Sequence, residues 1–329
     1  MLSLNSRIII GNLRLPTVIS VKIVESQELL IDYAEIEVFR SGKDSKGKEI
    51  QDFFSVGDKV EINLGYNGNL KNYFKGFYTK ATTSEQSIKF LCYDEGWQFE
   101  GLTTEKYYFL EKTTFKKLFQ EIAPKIPLNI VDADIGDWEI DKGVKIFDVI
   151  EELKQKFGIF PYFRDGVLIF NKFDLTQTFI ADFQKNCVKR RNDGGILIDY
   201  GLAVGSHVEG RSRVQENGKT TQIISYYSQQ GSSSVRPNGT CLGQVEIPNL
   251  TLEKLNEILK IRYEAFNTSG IVGEIETLGM PRVQHGMVCK IIDKYRADLN
   301  EKQVYINTVQ VDFNNNDVFC QKIKLGKLK

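Results

Sequence analysis

The sequence predicts an α+β fold rich in β structure, with two related β modules flanking a small α+β domain. Three observations carry this expectation. Apolar and polar residues alternate with the two-residue period of half-buried strands over roughly the first hundred positions. The period lengthens to that of helices and then reverts between residues 102 and 173. A series of strand-like segments that opens at Gly57 is echoed by one that opens at Gly286. The expected domains are a β-barrel or sandwich over 1–101, an α+β domain over 102–173, and a second β module over 174–329 that includes a helix near 251–268.

In the first module, residues 17–25 alternate through Ile19, Val21 and Ile23, and residues 33–39 through Ala34, Ile36 and Val38. Residues 60–64, 73–81 and 87–93 continue the pattern, with turn residues at 41–44, 67–69 and 82–86. Thr113 or Thr114 is placed to cap a helix with Phe115, Leu118, Phe119 and Ile122 on one face. Pro124 and Pro127 end it, and 128–131 reads as a short strand. A second helix carries Ile146, Phe147, Val149, Ile150, Leu153 and Phe157, with Gly158 where a helix C-terminus favours glycine. Asp165-Gly166 joins 160–164 to 167–170 as a hairpin.

Strand patterns resume after Asp174, at 196–200, 202–208 and 211–215. Asn217-Gly218 is a hairpin turn into 220–227, and the polar, Gly/Ser-rich stretch 228–239 reads as a mobile loop. Thr251 caps a third helix bearing Leu252, Leu255, Ile258, Leu259, Tyr263 and Phe266, and the final strands run from 273 to 327.

The echo is specific. Gly57-Asp58-Lys59-Val60-Glu61-Ile62 and Gly286-Met287-Val288-Cys289-Lys290-Ile291 space glycine and isoleucine alike. Phe74 then opens FKGFYTKA and Val304 opens VYINTVQV, and a third strand follows each, at 88–93 and 318–325. One chain is expected to carry two copies of a similar β unit.

Composition excludes several classes of function. Lys plus Arg and Asp plus Glu each number 43, which argues against a protein whose main task is gripping nucleic acid. The five cysteines are widely spaced without a CxxC pair, so buried reduced thiols are expected rather than a disulfide framework or zinc site. No apolar run approaches the ~20 residues of a membrane span, and the opening MLSLNSRIII lacks a signal-peptide pattern. The expectation is assembly in the cytoplasm without membrane insertion.

Catalytic chemistry is sparse. His207 and His285 are the two histidines, and no GxSxG elbow accompanies them. Gly218-Lys219-Thr220 resembles the end of a phosphate loop, but Arg213 stands where that loop needs glycine. Asp132, Asp134, Asp137, Glu139 and Asp141 read as a solvated acidic loop, because Gly136 comes one place too early for a calcium loop. Asp94-Glu95 does not supply a glycosidase pair, since neighbouring strand residues face opposite ways. Lys189-Arg190-Arg191 is a short basic cluster, read as a solvated turn that in a channel could face passing DNA. No catalytic, cofactor or metal residue is assigned, and the chain is expected not to be an enzyme.

The chain resembles the phage late control protein D and baseplate-hub family. The first block is Val56 to Ile62, Leu64-Gly65-Tyr66, Phe74-Lys75-Gly76-Phe77, and Phe90 to Asp94. The second is Gly279-Met280-Pro281, the glycine-led strand from Gly286, and YINTVQVDF from Tyr305. Between them, KIFDVIEELKQKFGIFPYFRDGVLIF is similar to the family's middle domain. Two departures stand out: Met287 replaces the aspartate of the first block, and His285 the apolar residue before the glycine. The resemblance implies a homotrimer whose subunits each carry two tube-like β-barrels, adapting a sixfold tail tube to a threefold spike. It further implies tail tube, spike and other baseplate proteins as partners, and DNA or a tape-measure protein passing through the lumen. The location implied is the tail baseplate of a virion built in the bacterial cytoplasm. Two alternatives are the equivalent hub of a non-viral contractile injection system, and a tail-tip glycan-binding or cell-wall-degrading protein using Trp97 or Trp138 as a sugar platform.

Overall fold

The computed structural model describes residues 3–15, 17–40, 49–170, 174–190, 197–199, 206–216, 219–266, 270–314 and 318–328. The expected strands at 202–208 and the turn at Asn217-Gly218 lie partly or wholly outside them. The chain opens with β1 (Leu4–Ile10), β2 (Leu13–Arg14), β3 (Ser20–Ser26), β4 (Tyr33–Phe39), β5 (Lys59–Tyr66), β6 (Asn69–Thr83) and β7 (Ser87–Asp94). It continues through β8 (Tyr108–Thr114), α1 (Phe115–Ile122), β9 (Leu128–Ile130), β10 (Asp134–Ile140), α2 (Ile146–Phe157), β11 (Pro161–Arg164) and β12 (Val167–Phe170). The rest comprises β13 (Asp174–Asp182), β14 (Cys187–Arg190), β15 (Leu197–Asp199), β16 (His207–Glu216), β17 (Lys219–Ser228), β18 (Gly231–Ser233), β19 (Cys241–Glu246), α3 (Leu252–Phe266), β20 (Gly270–Val272), β21 (Glu274–Leu278), β22 (Met287–Ile292), β23 (Gln303–Asn314) and β24 (Val318–Leu328).

The architecture is α+β and mostly β. Its largest element is one sheet that runs through both ends of the chain, in the order β14-β21-β24-β23-β3-β4-β7-β6-β5-β1-β2. β13 joins it through β22. Split at the β3–β23 pairing, the sheet yields two halves with the same plan. The first reads β1-β5-β6-β7-β4-β3 and the second β13-β22-β23-β24-β21-β14. Setting aside β2 and the stretch β15–β20, each half places its strands in the spatial order first, fourth, fifth, sixth, third, second. The glycines that signalled the echo sit at equivalent points. Gly57 (φ +92°) and Gly286 (φ +80°) both adopt left-handed backbone, which glycine enters without the steric penalty of a Cβ. Each donates its N–H across the module at 2.8 Å, to Tyr78 O and Ile306 O respectively.

Two cores result. One is shared by both β modules and runs from Ile8, Ile36 and Phe90 to Val311, Phe313 and Ile323. The other lies under α1 and α2 and takes in β16, β19 and α3. α1 buries Phe115, Leu118, Phe119 and Ile122, and Thr114 Oγ1 caps it by accepting from Lys117 N. α2 ends at Gly158 in left-handed conformation. α3 buries Leu255, Ile258, Leu259 and Tyr263, whereas Leu252 and Phe266 at its ends are exposed.

Two local expectations are corrected. Residues 228–239 are not a structureless loop: Gly231 turns the chain so that β18 pairs back on β17. The acidic run at 132–141 is largely strand β10, because Ile135, Trp138 and Ile140 are buried against the second core. Its carboxylates serve as ties: Asp132 accepts from Lys116 N, Asp137 from Lys112 N, and Glu139 from the Tyr107 hydroxyl.

Candidate functional site

The two β modules meet at a seam between β3 and β23. β3 and β23 pair antiparallel from Ser26↔Thr308 to Ser20↔Asn314. On the core side, Val21 lies opposite Phe313 and Ile23 opposite Val311, all buried, so the modules share apolar surface as well as backbone hydrogen bonds. On the other side the face is polar and continues unbroken across the seam. Directly opposed pairs of opposite sign recur across it: Glu276 with Lys322, Asp312 with Lys22, Lys22 with Glu35, and Glu37 with Lys89. Lys322 is paired with Asp312, and Lys89 Nζ lies 3.9 Å from Glu35.

Glu25 breaks the pattern. It sits opposite Val309 on the core side of the seam and is buried. Arg282, from the connection between β21 and β22, answers it: Nη2 donates to Glu25 Oε1 at 2.6 Å, while Nη1 donates to Asn72 O at 2.9 Å. Burial pushes the Glu25 carboxyl up from its ordinary value, and Arg282 opposes this. Tyr73 OH donates to Gly279 O and Tyr66 OH donates to Phe319 O (2.9 Å), so the β5–β6 hairpin also clasps the second module. A Cβ on Gly279 would come within 2.3 Å of the Phe319 ring, which is why a glycine occupies that place.

Beside this pair, three parts of the chain converge on a pocket of about 170 Å3 lined by Glu25, Asp32, Asp94, Arg164, Arg282 and His285, among others. Asp32, between β3 and β4, accepts from Ser26 N at 2.8 Å, and its own N–H donates to Asp94 Oδ2 at 3.0 Å. Asp94 also accepts from Gly96 N, capping the turn that leads into the α+β domain. Arg164, at the end of β11, donates to His285 O at 2.7 Å. His285 Nε2 lies 3.4 Å from Asp32, and the Tyr162 ring stands edge-on to its imidazole. Burial pushes Asp32 up to about 7. Burial, together with the neighbouring Asp32 charge, holds Asp94 well above the usual carboxylate range. Burial and the Arg164 charge push His285 down to about 3. The cluster locks first module, α+β domain and second module together. Its groups bond to one another and to backbone, and among the described residues no set of three or more metal-ligating side chains gathers.

The residues weighed from sequence fall elsewhere or into structural places. His207 is buried in β16 against Tyr226. Trp138 is buried, donating from Nε1 to Ile135 O, and Trp97 packs on Phe77, so neither stands out as an open platform. Lys189 and Arg190 lie in β14 at the end of the sheet order, and Arg191 is outside the described residues. Cys92, Cys289 and Cys320 are buried, Cys187 and Cys241 half-buried, and all five are free thiols. The ionic cluster itself escaped sequence reasoning apart from His285 and Asp94. One signal was present: Glu25 continues the alternation of Val21 and Ile23, which puts a carboxylate in the apolar phase of a strand.

No protein-family model and no curated protein matches the sequence. Solved structures do match the fold. A tail protein from Neisseria meningitidis is 12% identical, with a TM-score of 0.65 over 98% of this chain and 96% of that one. A 43 kDa tail protein of prophage MuSo2 from Shewanella oneidensis is 12% identical, with a TM-score of 0.63 over 99% and 98%. A type VI secretion system component of E. coli, described as structurally similar to the T4 bacteriophage tail proteins gp27 and gp5, is 9% identical with a TM-score of 0.59, covering 98% of this chain and 76% of that one.

Proposed function

We propose that this chain, which has the fold of phage tail proteins and of a type VI secretion component, is a structural baseplate-hub subunit of a contractile tail or injection machine, not an enzyme. Three copies form a ring of six β modules. The observation that carries this is the repeated strand order joined by the β3–β23 seam. In that seam the second strand of one module lies on the fifth strand of the other. The contact is heterologous, so among the described residues it leaves the corresponding edge of each module unused: β14 in the second module and the distal part of β6 in the first. Such a contact repeats from copy to copy until rotation closes it. β14 of one subunit therefore seats on β6 of the next, and three chains supply six similar contacts.

The domain plan of 1–101, 102–173 and 174–329 follows, with the β16–β19 sheet and α3 packed beside the α+β domain, outside the ring. The alternating charges of the polar face suit a lumen wall, since neither sign accumulates to hold a passing polyanion or protein. DNA or a tape-measure protein would traverse it, and tail tube, spike and other baseplate proteins would flank it in a virion assembled in the bacterial cytoplasm. A hub of a non-viral injection system would be built by the same physics. Native mass spectrometry of the purified chain tests the reading. A species of three times the chain mass is expected, and a monomer that persists at high concentration overturns it.

A further inference from the structure

The pocket at the junction of the three domains contains polar groups that the fold does not satisfy. Among the described residues, Glu25 Oε2 and His285 Nδ1 have no hydrogen-bond partner. Glu25 is 7% exposed and His285 2%, and both side chains line the pocket. Buried polar atoms are nearly always hydrogen-bonded, so two such orphans in one pocket point to a ligand that answers them. Glu25 Oε2 can only accept. Arg164 Nη2 has its hydrogen bond to His285 O, and Asp32 lies 3.4 Å from His285 Nε2. Once Asp32 is ionised it favours a proton on Nε2, which leaves Nδ1 as an acceptor too.

The charges in the pocket are out of balance in the same sense. Glu25, Asp32, Asp94, Glu95 and Asp165 bring five carboxyl groups to it. Only three permanent cations face them: Lys75, Arg164 and Arg282. His285 adds no charge at neutral pH, because burial and Arg164 push its imidazole down to about 3. Two carboxylates are thus left without a counter-charge. Asp32 and Asp94 are the two in contact, through the Asp32 N–H and Asp94 Oδ2 at 3.0 Å. Burial raises both, Asp32 to about 7, so protons balance the charge on this pair. The wall also carries apolar surface, from Phe74 and Phe163.

We infer that this pocket binds a primary ammonium group on an alkyl stem, from a free diamine or from a lysine side chain of another chain, which displaces a proton from the Asp32–Asp94 pair. An ammonium has three N–H donors, enough for Glu25 Oε2, the Asp32–Asp94 pair and His285 Nδ1. Its methylenes pack on Phe74 and Phe163. A divalent metal suits the pocket less well. It needs oxygens converging at about 2.0–2.6 Å, and among the described residues no three metal-ligating side chains gather. A guanidinium needs partners in its plane, and Arg282 already holds Glu25 Oε1. Glu25 and Asp32 belong to the first module, Arg164 and Asp165 to the α+β domain, and Arg282 and His285 to the second module, so the ligand ties all three. The site lies within one chain, and its loss would leave the three-chain ring untouched.

The test is isothermal titration calorimetry of the full chain with n-butylamine, n-butanol and magnesium chloride. Saturable binding of the amine, with a proton released to the buffer, is the expected result. Because one proton leaves for each ligand bound, the affinity should rise about tenfold from pH 5 to pH 6. Equal binding of the neutral alcohol, tighter binding of magnesium, or no saturable binding of the amine overturns the inference. The double variant Asp32→Asn with Asp94→Asn keeps the size of both side chains but cannot ionise. It should bind the amine at least about tenfold more weakly and without pH dependence, and unchanged binding overturns the site. If that variant does not fold, the parent chain still decides. Titrations in buffers of different ionisation enthalpy must then show the released proton, and its absence overturns the inference. Two further probes separate the sources: tighter binding of 1,4-diaminobutane assigns the site to a free diamine, and tighter binding of Nα-acetyl-lysine amide assigns it to a neighbour's lysine.

Discussion

The two β modules share a strand order but not their connections. Their first strands differ too: β1 runs antiparallel to β5, whereas β13 runs parallel to β22. What stays constant is the spatial order of the strands, and what varies is the connections between them: two residues join β5 to β6 but ten join β22 to β23. Repeated backbone edges must agree for a module to accept another of its kind, whereas loops are free to diverge toward different partners. The seam is the place where this equivalence carries structural weight, so it is also the place to challenge it.

The largest effect is expected at the shared core. Phe313→Ala removes a buried ring that packs on Phe319 with centroids 5.5 Å apart. It should cost about 3–5 kcal/mol, read from urea denaturation. Because one core spans both modules, the loss should appear in a single cooperative transition. A separate transition for each module would break the claim that they fold as one body.

Next comes the ion pair. Arg282→Ala leaves Glu25 buried without its partner and should cost about 3 kcal/mol. The double variant Glu25→Gln with Arg282→Met should recover most of that, and no recovery in a double-mutant cycle would show that Arg282 acts through packing alone.

The same cluster makes a pH prediction with two opposed signs. Asp32 has its carboxyl raised from 3.8 to about 7, so its contribution is full below pH 3.8 and is lost as pH rises through 7. His285 has its imidazole lowered from 6.5 to about 3, so its contribution is full above pH 6.5 and is lost as pH falls through 3. Glu25 and Asp94 are raised and act in the same sense as Asp32. His285→Gln should therefore steepen the fall in stability from pH 4 to pH 7, and Asp32→Asn should flatten it. Identical slopes in both variants, measured as urea midpoints against pH, would rule out this account.

Gly57→Ala and Gly286→Ala sharpen the equivalence itself. Each forces a Cβ into left-handed backbone and should cost about 1–2 kcal/mol, with the two values close to each other. Nothing stands within 4 Å of the added Cβ at Gly57, so backbone strain alone acts there. The smallest effect belongs to Tyr295→Ala, which should change stability by no more than about 0.5 kcal/mol, because the side chain is 81% exposed and contributes little to the core.

Much of this fold was legible in the chain. Alternation locates β3 through β7, the caps at Thr114 and Gly158 bound the helices, and the paired glycines point to a repeat. These signals are local: each depends on the period, cap or turn chemistry of a few adjacent residues, which sequence displays directly. The acidic run misled because carboxylates facing outward on a strand look the same in sequence as carboxylates in a loop. Their alternation with Ile135, Trp138 and Ile140 was the clue.

The seam and its ionic cluster depended on contacts between distant residues. Ser26 meets Thr308, Glu25 meets Arg282, and Asp32 meets His285 only after the chain has folded through more than two hundred intervening residues. Whether β3 would pair with β23 or remain an exposed edge is a matter of register and twist between modules, to which no short segment contributes a readable preference. Packing chose the partner, and burial then set the charges that hold it.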